Sequence, residues 1–187
     1  MKRYILLVFS VLIAIVILFS DLINPERNST AENNVQKNPT GRILQYGIYR
    51  LVREGKLVES SVTTTGKAIS SPTIEQIEQT DKIPAKKNVY FSYQYRLSNL
   101  PTSRPVVKLK RILIHPEITL PDGTVKTGTE YFIKGKVKRG EVFAFDGYAF
   151  NESYEMVEGD WVFQIWYENQ KLVEQKFTSY KPMTSNG

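Results

Sequence analysis

The residue types that most often carry enzyme chemistry are scarce in this sequence of 187 residues. It has no cysteine, which excludes thiol catalysis, disulfide bonds and cysteine-ligated metal sites. It has one histidine, His115, so a metal site built from several histidines is excluded as well. A serine–histidine–aspartate triad needs a nucleophile on a sharp turn, and the G-x-S-x-G motif is absent. We therefore expect His115 to be structural, and we predict no catalytic residue, no metal, no cofactor and no enzymatic activity.

Charged residues are distributed unevenly in the C-terminal half of the chain. From Arg104 to Arg139, nine basic residues outnumber three acidic ones. From Gly140 to Gln170, lysine and arginine are absent. The acidic residues of this second stretch are Glu141, Asp146, Glu152, Glu155, Glu158, Asp160 and Glu168.

Three interpretations of this charge pattern stay open. Ion pairs between neighbouring strands would each contribute about 0.2–1 kcal/mol on a solvent-facing surface. A basic face would instead bind an anionic surface, such as lipid headgroups or a cell-envelope polymer. The acidic stretch would bind Ca²⁺ or supply the carboxylate pair of a glycoside hydrolase, although its spacing does not match an EF-hand.

The second interpretation defines a candidate binding surface. Three lysines occupy alternate positions of one predicted strand, and two more share a face of another. Two aromatic residues point away from the apolar side of their strands, and exposed aromatic rings are common at recognition sites. The alternative is that both faces of these strands are covered, which would bury the two rings. The lysines are Lys134, Lys136, Lys138, Lys108 and Lys110, and the aromatic residues are Tyr90 and Trp166.

Short β-strands must position these residues. Apolar and polar residues alternate cleanly from residue 89 to residue 97, which is typical of a strand with one buried face. Arg139-Gly140-Glu141 separates two strand-like segments and predicts a hairpin. The Ser/Thr-rich segment 60–82 is expected to hold a weak strand and a turn of helix at 73–79. The predicted strands are 42–52, 89–97, 106–115, 130–138, 142–150, 161–168 and 172–180.

The number and length of these strands predict the fold class. Seven or eight short strands, without an amphipathic helix of ten residues or more after the N-terminus, indicate a mainly β domain over residues 42–181. An antiparallel β-sandwich with immunoglobulin-like character is the expected architecture. A small β-barrel is the alternative.

The N-terminus has the composition of a membrane anchor. Lys2 and Arg3 precede seventeen uncharged residues, and a helix over 4–23 would span about 30 Å, the thickness of a bilayer core. A cleaved signal peptide would have a shorter apolar region, about 7–15 residues, with a cleavage site close behind it. The positive-inside tendency places the rest of the chain outside the cytoplasm. We predict a transmembrane anchor (or signal peptide) at 1–23, a flexible tether at 24–41 and a frayed tail at 182–187.

Short sequence motifs occur through most of residues 42–180. They are QYGIY (45–49), TDKIPA (80–85), FDGY (145–148), YEMVEGDW (154–161), QIW (164–166) and LVEQKF (172–177). The order of these motifs resembles a bacterial family of uncharacterised domains, DUF3859. In the closing stretch, which is the most specific, Glu158 stands where the family expects proline, and after TDKIPA Asn88 stands where it expects glycine; both are local turn changes. The resemblance implies a non-catalytic β domain and supplies no catalytic residue.

The sequence therefore predicts a membrane-anchored β-sandwich that acts as a non-catalytic interaction or accessory module. A module that binds carbohydrate or an anionic envelope polymer is the alternative, and a carboxylate-dependent hydrolase is a third. The expected location is the inner (cytoplasmic) membrane, single-pass, with the domain in the periplasm of a Gram-negative bacterium. The expected partners are the membrane and an envelope protein or polymer. Nucleic acid is excluded by that location, despite a pI near 9.4.

Overall fold

The computed structural model describes residues 37–53, 55–70 and 73–183. The predicted anchor at 1–23, most of the predicted tether and the last four residues of the predicted tail lie outside the described residues. Within those three ranges, no helical segment has the length and hydropathy that a membrane span requires.

Eleven strands and one short 3-10 turn form the secondary structure of the described residues. Aromatic and β-branched residues, which fit a pleated half-buried surface, dominate the longer strands. The elements are β1 (Thr40–Arg53), β2 (Lys56–Glu59), β3 (Lys67–Ser70), β4 (Thr73–Glu78), β5 (Lys82–Pro84), β6 (Tyr90–Ser98), β7 (Val106–Thr119), β8 (Val125–Lys136), β9 (Val142–Ala149), β10 (Gly159–Tyr167) and β11 (Gln170–Tyr180), with the 3-10 turn at Ser153–Glu155 between β9 and β10.

The strands form two sheets and a separate hairpin. One sheet has four strands in the order β4-β1-β6-β9, and the other has five in the order β5-β11-β10-β7-β8. The short strand β5 runs parallel to β11, whereas the other neighbouring strands are antiparallel. Strands β2 and β3 form the hairpin. Because the inner side chains of the two sheets share one core, the fold is the predicted β-sandwich and not the alternative barrel.

Aromatic side chains from both sheets fill the core. The inward residues of β6, including Phe91, Tyr93 and Tyr95, are almost fully buried, which confirms the alternation predicted from the sequence. The Phe91 ring centroid lies 5.6 Å from that of Trp161 on β10 and 5.2 Å from that of Phe177 on β11. Burial of such a side chain contributes about 1.5–3 kcal/mol, so these ring contacts hold the two sheets together.

Two glycines allow the four-stranded sheet to close around a buried serine. Ser92 on β6 pairs with Gly47 on β1 and with Gly147 on β9. A Cβ atom at Gly47 would collide with the carbonyl oxygen of Glu78, and one at Gly147 would collide with that of Phe91. Gly47 also has a φ of 147°, which side-chain-bearing residues rarely adopt. The close approach of β1 to β4 and of β9 to β6 therefore requires glycine at both positions.

The predicted hairpin around Arg139-Gly140-Glu141 is wrong. Strand β8 pairs with β7 in the five-stranded sheet, and β9 pairs with β6 in the four-stranded sheet. A single isolated bridge, Lys138 to Glu141, joins the two segments. Alternation shows which side of a strand is buried but does not identify the neighbouring strand, so the sequence did not reveal that this turn carries the chain from one sheet to the other.

The predicted turn of helix at 73–79 is also wrong, since Thr73–Glu78 forms the edge strand β4. This segment pairs with the last part of β1, and Arg50 lies 2.6 Å from Glu75 across the pair. Thr73, Ile74 and Ile77 are β-branched, which favours a strand where a neighbouring strand is available for hydrogen bonding.

Substitution of Phe91 tests the ring contacts between the sheets. We expect Phe91→Ala to lower the free energy of unfolding by about 3–5 kcal/mol, because it leaves a cavity between both sheets. The matched control is Phe143→Ala, on the outer side of β9, whose side chain is 62% exposed and whose loss should cost less than about 1 kcal/mol. Urea denaturation followed by circular dichroism measures both; equal losses would contradict this description of the core.

Candidate functional site

Four of the five candidate lysines lie on one face of the five-stranded sheet. In the pairing of β7 with β8, Lys108 is opposite Lys134, and Lys136 is opposite Val106. Their sequence neighbours Leu109 and Gly135 are buried, so the lysines at alternate positions project away from the core. We call the outward residues of this region the lysine face, and they are Lys108, Lys110, Lys134, Lys136, Phe132 and Trp166.

Neighbouring acids do not neutralise the lysine face. The Nζ atom of Lys110 lies 3.5 Å from a carboxylate oxygen of Glu130. Among the described residues, no carboxylate lies within ion-pair distance of Lys108, Lys134 or Lys136. Lys108 and Lys134 are directly opposite each other, and like charges in that position destabilise a sheet. Cross-strand ion pairing therefore accounts for Lys110 but not for Lys108, Lys134 or Lys136.

The basic and acidic stretches make one ion pair with each other in the described part of the chain. Arg111 on β7 contacts Asp146 on β9, with a distance of 2.7 Å from Nε to Oδ2. Other acids of the stretch pair elsewhere: Glu141 with Arg96, and Asp160 with Lys176. In the described part of the chain, the other bases of the basic stretch therefore have no ion-pair partner in the acidic stretch, and four of these bases lie on the lysine face.

Aromatic rings lie between the lysines. The Nζ atom of Lys108 lies 3.7 Å from the ring centroid of Phe132, which is 59% exposed. The Nζ atom of Lys110 lies 5.3 Å from the ring of Trp166, whose indole N–H donates to Gln164. Sequence reasoning missed Phe132, although its place between Glu130 and Lys134 at alternate positions of a predicted strand was a usable signal.

Tyr90 and Lys138 lie apart from the lysine face. Tyr90 is on β6, in the other sheet, where its ring packs against that of Tyr49 at 6.4 Å. Burial raises the pKa of Tyr90 to about 12, so its hydroxyl is neutral at physiological pH. Lys138 follows β8 in the segment that crosses between sheets. The structure therefore brings Trp166 and four lysines together but does not bring Tyr90 to them.

His115 is buried at the end of the five-stranded sheet. Its Nδ1–H donates to the carbonyl oxygen of Pro116 at 2.7 Å, and the hydroxyl of Thr64 donates to Nε2 at 3.0 Å. The imidazole stacks on Trp161 at 5.2 Å between ring centroids. Burial lowers the pKa of His115 below its ordinary value. These contacts occupy both ring nitrogens in the neutral form, which is the arrangement of a structural histidine.

The buried carboxylates are occupied by protein donors. Glu155, 1% exposed, accepts hydrogen bonds from the hydroxyl of Tyr148 and from the backbone N–H groups of Asn151 and Glu152, each at 2.7 Å. In the ranges that the structure describes, no group of three or more histidine, aspartate or glutamate residues is placed to hold a metal ion. The predicted Ca²⁺ alternative has no cluster to support it among those residues.

Comparison with known proteins agrees with the resemblance seen in the sequence. The model of the family described as "Domain of unknown function (DUF3859)" matches residues 37–179. The chain is also similar to the crystal structure of an immunoglobulin-like protein from Pseudomonas aeruginosa, with a TM-score of 0.50 and 22% identity, over 78% of this chain and 98% of that one. The immunoglobulin-like character of the sandwich is thereby confirmed. No curated protein matches the chain.

The sandwich has the contacts of an independent unit. The eleven described strands form one compact unit by their own contacts, and the Pseudomonas aeruginosa chain is matched over 98% of its length. A fragment of residues 37–187 contains all of these strands and is therefore suited to binding measurements.

The burial of His115 predicts a pH dependence of stability. Because the folded protein lowers the pKa of this group, the unfolded chain binds a proton more readily. The free energy of unfolding should be constant above about pH 7 and should fall as the pH drops through about 6.5. Urea denaturation between these values and about pH 5 measures the effect, and His115→Gln should remove it, since this is the chain's one histidine. An unchanged slope in that variant would assign the effect to another group.

Proposed function

Because the chain belongs to the DUF3859 family, whose description names no activity, we propose from its own geometry that it is a membrane-anchored, extracytoplasmic binding module. The lysine face of its sandwich binds the anionic headgroups of a lipid bilayer. No catalytic step is part of this proposal.

The observation that carries the proposal is the unpaired lysine pair, Lys108 and Lys134. The two side chains lie opposite each other on adjacent strands, and neither has an acidic partner among the described residues. This arrangement opposes folding, so stability does not explain it. A bound phosphate group would relieve the repulsion between the two ammonium groups, because its negative charge would lie near both.

The expected binding free energy favours a membrane over a soluble partner. Each lysine near an anionic membrane surface contributes about 1 kcal/mol, so the three lysines of the face that have no ion pair supply about 3 kcal/mol. This corresponds to a dissociation constant of about 6 mM, which is weak for a free protein. The predicted anchor at 1–23 would make the contact intramolecular and raise the effective concentration of headgroups. Phe132, exposed among the lysines, is a residue type that enters the apolar edge of the headgroup layer.

The hydrogen bonds that Asp146 and Glu155 accept support a function without a catalytic step. Both carboxylate oxygens of Asp146 accept hydrogen bonds, from Arg111, from the backbone N–H of Gly147 and, at 3.4 Å, from Tyr93. Glu155 is held by three donors, the hydroxyl of Tyr148 and two backbone N–H groups of the segment after β9. Carboxylates occupied in this way are poorly placed to transfer protons to a substrate, which argues against the hydrolase alternative.

Neutralising the lysine pair should separate binding from stability. We expect Lys108→Gln with Lys134→Gln to lower the partition coefficient of the 37–187 fragment onto phosphatidylglycerol vesicles about 30-fold, at about 1 kcal/mol for each lysine. The same variant should keep the stability of the parent fragment within about 1 kcal/mol, because removal of the like-charge pair offsets the loss of the cation–π contact between Lys108 and Phe132. Vesicle co-sedimentation at low salt and urea denaturation measure the two effects.

The matched control changes two lysines outside the face. Lys86 and Lys87 are exposed in the turn before β6, and their conversion to glutamine removes the same net charge. If this control loses binding equally, the binding depends only on the net charge of the fragment. That result would contradict the proposal that the lysine face is the binding surface. Binding to soluble polyphosphate but not to the vesicles would show that the ligand is an anionic polymer and not a lipid surface.

A further inference from the structure

A cavity opens between the edge strands of the two sheets. Its volume is about 440 Å³, within the range of about 300–1,000 Å³ that is typical of small-molecule sites. Strands β8 and β9 form its two sides, and residues 63–68 of the β2–β3 hairpin and its turn contribute a further wall. We call this cavity the β8–β9 crevice. It is separate from the lysine face, which lies on the opposite surface of β7 and β8.

Aromatic rings make up much of the wall. They come from three strands and from the segment after β9, so a ligand in the crevice would meet rings from several directions. The hydroxyls of Tyr131 and Tyr154 have no hydrogen-bond partner among the described residues. The aromatic residues that line the crevice are Tyr90, Tyr131, Phe145, Tyr148 and Tyr154.

Arg111 supplies unused donors to the crevice. Its side chain is 6% exposed and lines the cavity. Its Nε and one Nη atom donate to Asp146, and the other Nη atom donates to Thr129. A guanidinium group has five N–H donors, so two of them have no acceptor in the described part of the protein. A buried donor without an acceptor costs free energy, which a ligand oxygen would recover.

The charges of the crevice disfavour an anionic ligand. Asp146 neutralises Arg111, Lys67 and Glu152 add one charge of each sign to the lining, and Glu155 lines the same cavity as a carboxylate with no basic partner among the described residues. An added negative charge would therefore be repelled. What the crevice offers are donors from Arg111 and hydroxyl groups from Tyr131, Tyr154 and threonines such as Thr129, and hydroxyls both donate and accept.

We propose that the β8–β9 crevice binds a neutral saccharide. Sugar hydroxyls both donate and accept, which matches the hydroxyl-lined wall, and the apolar face of a sugar ring packs on aromatic side chains. The two unused N–H groups of Arg111 bind a sugar oxygen. This inference is independent of the lysine face, since the two sites use opposite faces of the five-stranded sheet.

Titration of the ¹⁵N-labelled 37–187 fragment tests the site. The probes are glucose, N-acetylglucosamine and the β-1,4-linked disaccharide of each, at millimolar concentrations. We expect at least one of them to shift the amide signals of Ala68, Gly147 and Ala149, which line the crevice, in a saturable way. If all four leave these signals unmoved, or if only the neutral peptide N-acetyl-trialanine amide moves them, the saccharide proposal is overturned.

Two hydroxyl deletions separate binding from structural roles. Tyr131→Phe and Tyr154→Phe each remove a hydroxyl without a protein partner, so the urea midpoint should not change. Each should weaken saccharide binding about fivefold, the effect of one lost hydrogen bond. Tyr180→Phe, on an exposed residue outside the crevice, is the control and should bind as the parent does. Unchanged affinity in both crevice variants would contradict the assignment.

Discussion

The ion pair between Arg111 and Asp146 is the charged contact that joins the two aromatic-packed sheets and on which the cavity between them depends. The two side chains, 6% and 17% exposed, project from the inner faces of β7 and β9 and join the two sheets. A buried guanidinium without its carboxylate leaves an uncompensated charge, which costs about 3–5 kcal/mol. Because β9 is an edge strand, this pair also fixes how far that edge lies from β7. That spacing leaves the β8–β9 crevice open between the edge strands of the two sheets.

Strand β7 connects the structural pair to the proposed binding face. Its inward residues include Leu109 and Arg111, and its outward residues include Lys108 and Lys110. Since side chains alternate along a strand, the register that buries Arg111 against Asp146 also directs the lysines outward. A shift of one residue would exchange the two sets. The ion pair and the buried residues Val107, Leu109 and Leu113 therefore share the register that presents the lysines of β7 to the outside.

The sequence predicted the features that depend on alternation, and it failed where partners are distant in the chain. Alternation identified β6 and its buried rings, and composition identified the strands around Lys108 and Lys134. Alternation placed Arg111 on the face opposite Lys108 and Lys110, but nothing in the pattern identified its partner, because Asp146 lies 35 residues away and meets it only after the sheets pack. The same limit explains the incorrect hairpin at Arg139-Gly140-Glu141 and the separation of Tyr90 from Trp166. The local sequence determines whether a segment forms a strand, whereas the strand with which it pairs is determined by tertiary packing.

The central claim, that the lysine face meets an anionic bilayer, is tested most directly by paramagnetic relaxation. The ¹⁵N-labelled 37–187 fragment is mixed with phosphatidylglycerol bicelles that carry a gadolinium-chelating headgroup lipid. The account predicts selective broadening of amide signals from β7 and β8, centred on Lys108, Phe132 and Lys134. Broadening centred on the four-stranded sheet, or spread evenly over the surface, would contradict it.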